Sequence, residues 1–325
     1  MQPQKINVLS EQPLVSVIIP TYDRAKIIDI SLKSVFNQSY QNIEIIVVDD
    51  HSTDNTEAVI NSINDPRIRY FRHSTNKGGG ATRNTGIEAA KGEYIAFLDS
   101  DDVWVADKLE LQLASILQSA APERIVSYTQ AFYSVSGISE STYTAFDDRF
   151  FVPKKAKESA ESLGDYLFCN QGKALTSTLM LHNSLAFNTR FRDSLRKHQD
   201  WDFCLRLEAA GAIFSFIEQP LTIWNGDSKL DHVGRTPDYR LSETFIRECR
   251  NYVSSKAATA FLLDKVIPSL IQDGTRKLYC QKIVFNGLVH QLISWKKFIR
   301  ITAHLWLRKL KALRKFNFMK KVLSF

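Results

Sequence analysis

Three carboxylates, Asp99, Asp101 and Asp102, fall within four residues at the end of the apolar run in YIAFLDSDDVW (Tyr94 to Trp104). Carboxylates packed this closely repel one another unless a cation sits among them. Mg²⁺ and Mn²⁺ are suitable guests, because hard divalent ions take oxygen ligands and bridge to phosphates. The same residues also suit a solvated acidic turn that caps the following helix. Other segments carry the same kind of chemistry. IEIIVVDD ends in Asp49 and Asp50, NKGGGATRNTGI places three glycines before a cationic Arg83, and QDWDFCLR supplies Asp200 and Asp202.

These residues need elements that hold them. Val15 to Pro20, Ile43 to Val48 and Tyr94 to Leu98 are continuous apolar runs, as expected of strands buried on both faces of a parallel sheet. Each run delivers its polar residues to its carboxyl end, where open α/β sheets bind ligands. Between them, Ile27, Ile28, Leu32, Val35 and Phe36 recur at helical spacing up to Asn37, and Asp54 is placed to cap a helix running through Ile60 and Ile63. Arg67 to His73 alternates like a more exposed strand, and Leu109, Leu111, Leu113, Ile116 and Leu117 mark a helix. Strands are expected within Ser127 to Tyr143. Tyr166 to Phe191 is small, polar and weakly periodic, as a wall around an acceptor would be. A helix is expected over Asp202 to Ala210 with Gly211 as its stop, then a strand over Ala212 to Ile217. Asn, Gly, Asp, Ser and Pro cluster between Trp224 and Pro237 and mark a boundary, beyond which the pattern is helical.

In order and spacing, VSVIIPTYDR, IEIIVVDD, the glycine turn, the acidic strand end and QDWDFCLR resemble the family-2 glycosyltransferases over roughly residues 15 to 225. The resemblance implies a GT-A fold: a Rossmann-like nucleotide-binding mixed sheet flanked by helices, here with a helical C-terminal extension. It implies inverting transfer of a sugar from a nucleotide-diphosphate sugar, with a UDP-sugar as the expected donor, and dependence on Mn²⁺ or Mg²⁺. The implied segments are 1–14 as an N-terminal arm, 15–235 as the GT-A domain and 236–325 as a helical region with a basic tail.

Carried over residue by residue, the donor site comprises Pro20, Thr21, Tyr22, Asp50, Arg83, Asp99 and Ser100. Tyr22 would stack on the base and Asp50 would accept from the uracil ring N–H, while Asp49 orients the loop. Asp99 reaches the ribose or donor sugar, Asp101 binds the metal, and Asp102 supports Asp101. Asp200 deprotonates the acceptor hydroxyl, and Trp201 floors the acceptor site. The chain departs from the family at Asp23, where Asn is frequent, at Gln199, where Glu is frequent, and after Trp104, where a proline is missing. His232 fits either a metal or phosphate contact or a structural role. No QxxRW signature is present, which favours transfer of single sugars.

Composition bounds the rest. At 325 residues the chain can hold one large α/β domain and an appendage. No apolar stretch approaches a membrane span, and MQPQKINVLSEQ has no apolar secretory core, so a cytoplasmic protein is expected. Cys169, Cys204, Cys249 and Cys280 are scattered, as reduced thiols would be. Thirteen of the 42 Lys and Arg residues lie from Arg276 onward, where there is no Asp or Glu; all 35 acids precede it, against 29 basic residues. A basic globular surface for nucleic acid is therefore a poor reading of the charge.

On a helical wheel from Trp295 to Phe316, Trp295, Phe298, Ile299, Leu305, Trp306, Leu310, Leu313 and Phe316 share one broad arc, opposite a face of Lys and Arg. Such a helix suits the interface of an anionic membrane; packing on the rest of the chain is the alternative. The expected acceptor is a saccharide, lipid-linked, in surface-polysaccharide synthesis at the inner face of the cell membrane. Two other readings stay open here: a sugar nucleotidyltransferase, and a non-catalytic nucleotide-sugar-binding protein at the membrane. The first wants a phosphate loop where this chain has PTYDRA.

Overall fold

The computed structural model describes residues 12–135, 138, 147–226 and 238–307. The chain forms two compact units. The first comprises 1–156, 174–194 and 206–230; the second comprises 157–173, 195–205 and 231–325. Two stretches from the middle of the chain thus cluster with the C-terminal helices. His232, Leu310, Leu313, Phe316, most of the boundary between Trp224 and Pro237, and the end of the Ser127 to Tyr143 segment lie outside the described residues.

The first unit is built on a nine-stranded sheet. Strands β1 (Val15–Thr21), β2 (Ile43–Asp49), β3 (Ile68–Arg72) and β4 (Tyr94–Phe97) lie in the order β3-β2-β1-β4 and are parallel throughout. All residues of β1, β2 and β4 are buried, which is why their sequences are continuously apolar and do not alternate. Helices α1 (Ile28–Phe36), α2 (Thr56–Asn61), α3 (Gly79–Ala89) and α4 (Lys108–Leu117) complete this part. Pro20 lies beyond the last β1–β4 pair, Ile18 with Phe97, so the donor it lacks falls where β1 has only β2 beside it.

Past β4 the sheet becomes mixed. Strand β8 (Met180–His182) inserts antiparallel between β4 and β6 (Ile125–Ser134), and β9 (Ile213–Asn225) runs parallel to β6. Two-residue strands β5 (Val103–Trp104) and β7 (Phe151–Val152) pair with β9 and β6. The wall expected over Tyr166 to Phe191 is therefore in part sheet core, since Met180 and Leu181 are fully buried. Three residues are too few to show a period. The strand expected over Ala212 to Ile217 continues to Asn225. The helix expected to reach Ile63 stops at Asn61, and its N-cap position is Asn55; Asp54 instead accepts from the Thr56 and Ala25 N–H groups, at 3.0 Å each.

The second unit contains α5 (Leu163–Phe168), the N-terminal part of α7 (Gln199–Ala209), α8 (Tyr239–Glu248), α9 (Ser255–Lys265), α10 (Ile267–Asp273), α11 (Lys277–Val289) and α12 (Trp295–Leu307). The short α6 (Asn183–Thr189) belongs to the first unit. Val266, Ile267, Leu270, Cys280, Ile283, Val284, Ile293 and Leu305 form one core of the second unit. A second focus is aromatic. Phe168, His198, Trp201, Phe245 and Phe261 pack with ring centroids 4.8–6.2 Å apart.

Candidate active site

In the first unit the polar residues collect where β1, β2 and β4 end, and each carboxylate is held by a different device. Asp49 is fully buried. It accepts from the Ser52 N–H (2.7 Å) and the Tyr70 hydroxyl (2.8 Å), so it shapes the loop after β2. Asp50 Oδ1 accepts from the Lys77 N–H and meets His73 Nδ1, both at 2.8 Å, and Oδ2 accepts from the Gly78 N–H at 2.7 Å. A carboxylate has about four acceptor positions, so Asp50 keeps one for a further donor while clamping the glycine turn. His73 in turn reaches Thr85 Oγ1 on α3 at 2.9 Å.

The glycine turn works by close approach. Gly78 has φ of 90°, a conformation costly to any residue with a Cβ. On α3 itself, a Cβ at Gly86 would lie 2.4 Å from Ile18 Cγ2, so the helix packs directly on β1. The opening of α3 is thereby fixed, and with it Arg83, whose NH2 donates to Asp99 Oδ1 at 2.5 Å. The guanidinium carbon also lies 5.4 Å from the Phe191 ring centroid. Asn84 exchanges two hydrogen bonds with the Phe191 backbone, at 2.8 Å each, tying α3 to the loop before α7.

The acidic turn itself divides into inner and outer carboxylates. Asp102 is buried: its Oδ2 accepts from the Ser177 hydroxyl (2.5 Å) and its Oδ1 from the Asn225 N–H (2.9 Å). Burial, with the Asp101 and Asp99 charges added, pushes its carboxyl well above the usual range. Asp102 therefore organises the turn from within. Asp101, on the outer side, pairs with Arg24 NH2 at 3.4 Å, a long contact for an ion pair. Ser177 is the hinge of the arrangement. Its hydroxyl also accepts from the Asp99 N–H (3.0 Å), and its carbonyl accepts from Trp104 Nε1 (2.8 Å).

The remaining donor-side residues fall as follows. Tyr22 is 42% exposed and available to a flat ligand, whereas Thr21 is buried and its hydroxyl has no hydrogen-bond partner among the described residues. Ser100 is buried, with its carbonyl accepting from Ser31 Oγ at 3.0 Å. Asp23 has φ of 50°, which Asp and Asn tolerate, and Oδ1 accepts from the Thr53 N–H at 2.7 Å. This accounts for the Asp-for-Asn departure without loss of the turn.

Asp200 and Trp201 stand in the first turn of α7, in the second unit. Trp201 is half-buried, and His198 stacks on it with ring centroids 4.8 Å apart and planes 6° from parallel. One ring face is thus already covered, and only the remainder could meet a sugar. Lys265 Nζ lies 5.9 Å from the same centroid. Burial and then Lys265 lower the Lys173 amine, which the Asp264 and Asp200 charges partly restore; burial and Lys265 likewise lower Lys197. Asp202 plays a different part, being fully buried and accepting from the Cys249 thiol at 3.3 Å.

Sequence reasoning missed Arg24, His73 and Ser177. Arg24 and His73 had a legible signal, being polar residues just past the ends of β1 and β3. Ser177 had none.

A divalent cation bound with a diphosphate needs only one or two protein carboxylates. Among the described residues no group of three or more His, Cys, Asp or Glu forms a metal cage. Asp101, partly exposed and paired to Arg24 through a long contact, fits that requirement.

Comparison with known proteins agrees with this geometry. Residues 16–161 match the family model described as glycosyl transferase family 2. The amylovoran biosynthesis glycosyltransferase AmsB of Erwinia amylovora is 33% identical over 234 residues, 70% of this chain and 75% of that protein. WfgD of Escherichia coli, a UDP-Glc:alpha-D-GlcNAc-diphosphoundecaprenol beta-1,3-glucosyltransferase, is 43% identical over 106 residues, 33% of this chain and 42% of that protein. Among solved structures, S. aureus TarS 1–349 superposes with a TM-score of 0.55 at 20% identity, covering 95% of this chain and 88% of that one. The mannosyltransferase PcManGT from Pyrobaculum calidifontis, in complex with GDP-Man and Mn²⁺, gives 0.55 at 16% identity, covering 94% and 89%. These likenesses give the GT-A fold, and the family overrules the nucleotidyltransferase reading. With its acidic strand ends in that fold and a relative matched over most of both chains, this protein belongs to glycosyltransferase family 2.

Proposed function

We propose that the protein transfers a single sugar, with inversion, from a UDP-sugar to a lipid-linked saccharide in the assembly of a surface polysaccharide. The observation that carries this reading is that Asp50, Asp99 and Asp101 follow the ends of β2 and β4, the two parallel strands that flank β1, beside a glycine-opened helix. The donor class is supported by the TarS structure in complex with UDP-GlcNAc, TM-score 0.54 at 17% identity over 95% of this chain and 78% of that one. The acceptor class is supported by the diphosphoundecaprenol-linked substrate named for WfgD and by the polysaccharide named for AmsB.

In this reading Tyr22 stacks on the uracil, Asp50 uses its remaining acceptor position for the ring N–H, and Pro20, Thr21 and Ser100 line the nucleotide. Arg83 holds Asp99 toward the ribose or donor sugar. Asp101 would hold Mn²⁺ or Mg²⁺ together with the diphosphate, and the ion would supply neutralising charge to that leaving group. Asp200 takes the proton of the acceptor hydroxyl, whose oxygen attacks the anomeric carbon as the bond to the diphosphate breaks. Trp201 floors the acceptor with the part of its ring that His198 does not cover.

The test is a panel of UDP-, GDP- and dTDP-sugars offered to the full-length protein with a polyprenyl-diphosphate saccharide, with Mn²⁺ or with EDTA. Transfer from one UDP-sugar that EDTA abolishes is the expected result. Transfer unaffected by EDTA overturns the metal assignment, and turnover with free sugars alone overturns the lipid-linked acceptor.

A further inference from the structure

Ten large hydrophobic side chains stand exposed among the described residues, and six of them lie on two consecutive helices: Leu278, Phe285 and Val289 on α11, and Trp295, Ile299 and Trp306 on α12. At about 100° per residue the α11 set falls within about 40° of arc. The buried side of the same helix is Cys280, Ile283, Val284 and Gly287, diametrically opposite. On α12 the three exposed residues also fall within about 40°. The broad apolar arc expected from the sequence is thus two faces. Phe298, Ile301 and Leu305 are packed on the core of the second unit, and Trp295, Ile299 and Trp306 are left outside.

The two exposed faces are joined. Gln281 on α11 donates to Thr302 Oγ1 (3.1 Å) and accepts from Trp306 Nε1 (3.2 Å) on α12. Phe285 and Trp295 both meet the Phe298 ring edge-on, at 6.5 and 5.5 Å. One surface therefore carries two tryptophans, a phenylalanine and three aliphatic residues. Lys277, Lys282, Lys296, Lys297 and Arg300 lie on the same two helices, and from Arg276 to the last residue there is no acid at all.

We propose that α11 and α12 together form a rigid platform that seats on an anionic lipid bilayer. An apolar face that carries tryptophan on two acid-free helices, with Lys282 about 40° from its centre on α11 and Lys296 about 80° from it on α12, suits the boundary between headgroups and acyl chains. Charge argues against pairing with the same face of a second copy, since like would meet like across that contact. The proposal is independent of the identity of donor and acceptor, because it concerns a surface and not the chemistry. The platform differs from a simple basic tail in that α11 contributes three of the six exposed apolar side chains.

Co-sedimentation of the full-length protein with phosphatidylcholine vesicles, with and without phosphatidylglycerol, tests it. A variant carrying Leu278→Ser, Phe285→Ser and Val289→Ser leaves every basic residue in place, and a second variant ends after Leu307. Circular dichroism and light scattering accompany each. The expected results are binding to the anionic vesicles, a loss of at least about tenfold in apparent affinity for the triple variant, and retention of anionic-vesicle binding by the shortened chain. Equal binding by wild type and a folded triple variant overturns the platform. So does a wild type that dimerises and ignores vesicles while the triple variant is monomeric, which would make the face an interface between copies. Tighter binding after removal of 308–325 overturns it too, because the chain's own end then covers the face. If the triple variant unfolds, Trp295→Ser with Ile299→Ser on α12 must show the same loss; unchanged binding there overturns the proposal.

Discussion

The two units surround their polar residues differently. In the first, nearly every carboxylate is met by a backbone N–H or an arginine: Asp49 by Ser52, Asp50 by Lys77 and Gly78, Asp99 by Arg83, Asp102 by Ser177 and Asn225. In the second, an aromatic cluster packs round the half-buried imidazole of His198, burial and Lys265 lower the Lys173 and Lys197 amines, and Asp202 accepts from the Cys249 thiol. The contrast teaches where each half is vulnerable. Directed hydrogen bonds fix geometry before a ligand arrives, so damage there is local and chemical. A packed aromatic cluster around a half-buried imidazole is instead sensitive to anything that charges or loosens it.

The largest expected effect breaks the first side of this comparison. Asp101→Ala should lower kcat by about 10³-fold, the scale of removing a transition-state charge stabiliser. Circular dichroism should show the variant folded. Near-normal turnover by the folded variant would remove Asp101 from the metal role.

Asp200→Asn probes the other unit. It should lower kcat by roughly 10²-fold or more and leave donor affinity, measured by calorimetry with the nucleotide, unaltered. Transfer at the original rate would place the base elsewhere.

A smaller effect, on stability, comes from His198. Burial, with Lys197 and Lys265 nearby, lowers its pKa from 6.5 to about 3, and Nε2 meets Ser242 Oγ at 2.9 Å. The folded chain then binds fewer protons than the unfolded one between those values. Stability contributed by the neutral ring is present above pH 6.5 and is lost as pH falls toward 3. By pH 4 the loss should reach up to about 3 kcal/mol. Denaturant titrations of wild type and His198→Gln across pH 4 to 7 check this, and equal slopes for the two would contradict it.

Ser177→Ala sharpens the comparison at the smallest scale. It removes the hydroxyl shared by Asp102 and the Asp99 N–H, and should cost about 1–3 kcal/mol. It should also lower kcat more than it raises KM, because the acidic turn loosens while the nucleotide loop stays. A stability loss with unchanged kcat would make Ser177 structural only.

Much of this was legible in the chain because it is local. Continuous apolar runs identified β1, β2 and β4, and helical spacing identified α1 and α4, since burial on both faces or on one stripe writes itself into neighbouring residues. The acidic strand ends and the glycine turn were readable for the same reason, as was family membership. β8 escaped because three residues carry no period, and Ser177 escaped because its partners are 75 and 78 positions away.

The sequence by itself therefore determined the parallel strands β1, β2 and β4, the polar residues that end them and the family to which the chain belongs. Only the tertiary structure decided that Asp102 faces inward while Asp101 faces Arg24, that residues 157–173 and 195–205 pack with the C-terminal helices, and which half of the α12 arc is spent on packing. The reason is physical. Local pattern fixes what a residue can be, whereas burial and pairing depend on segments far apart in the chain that meet only once it has folded.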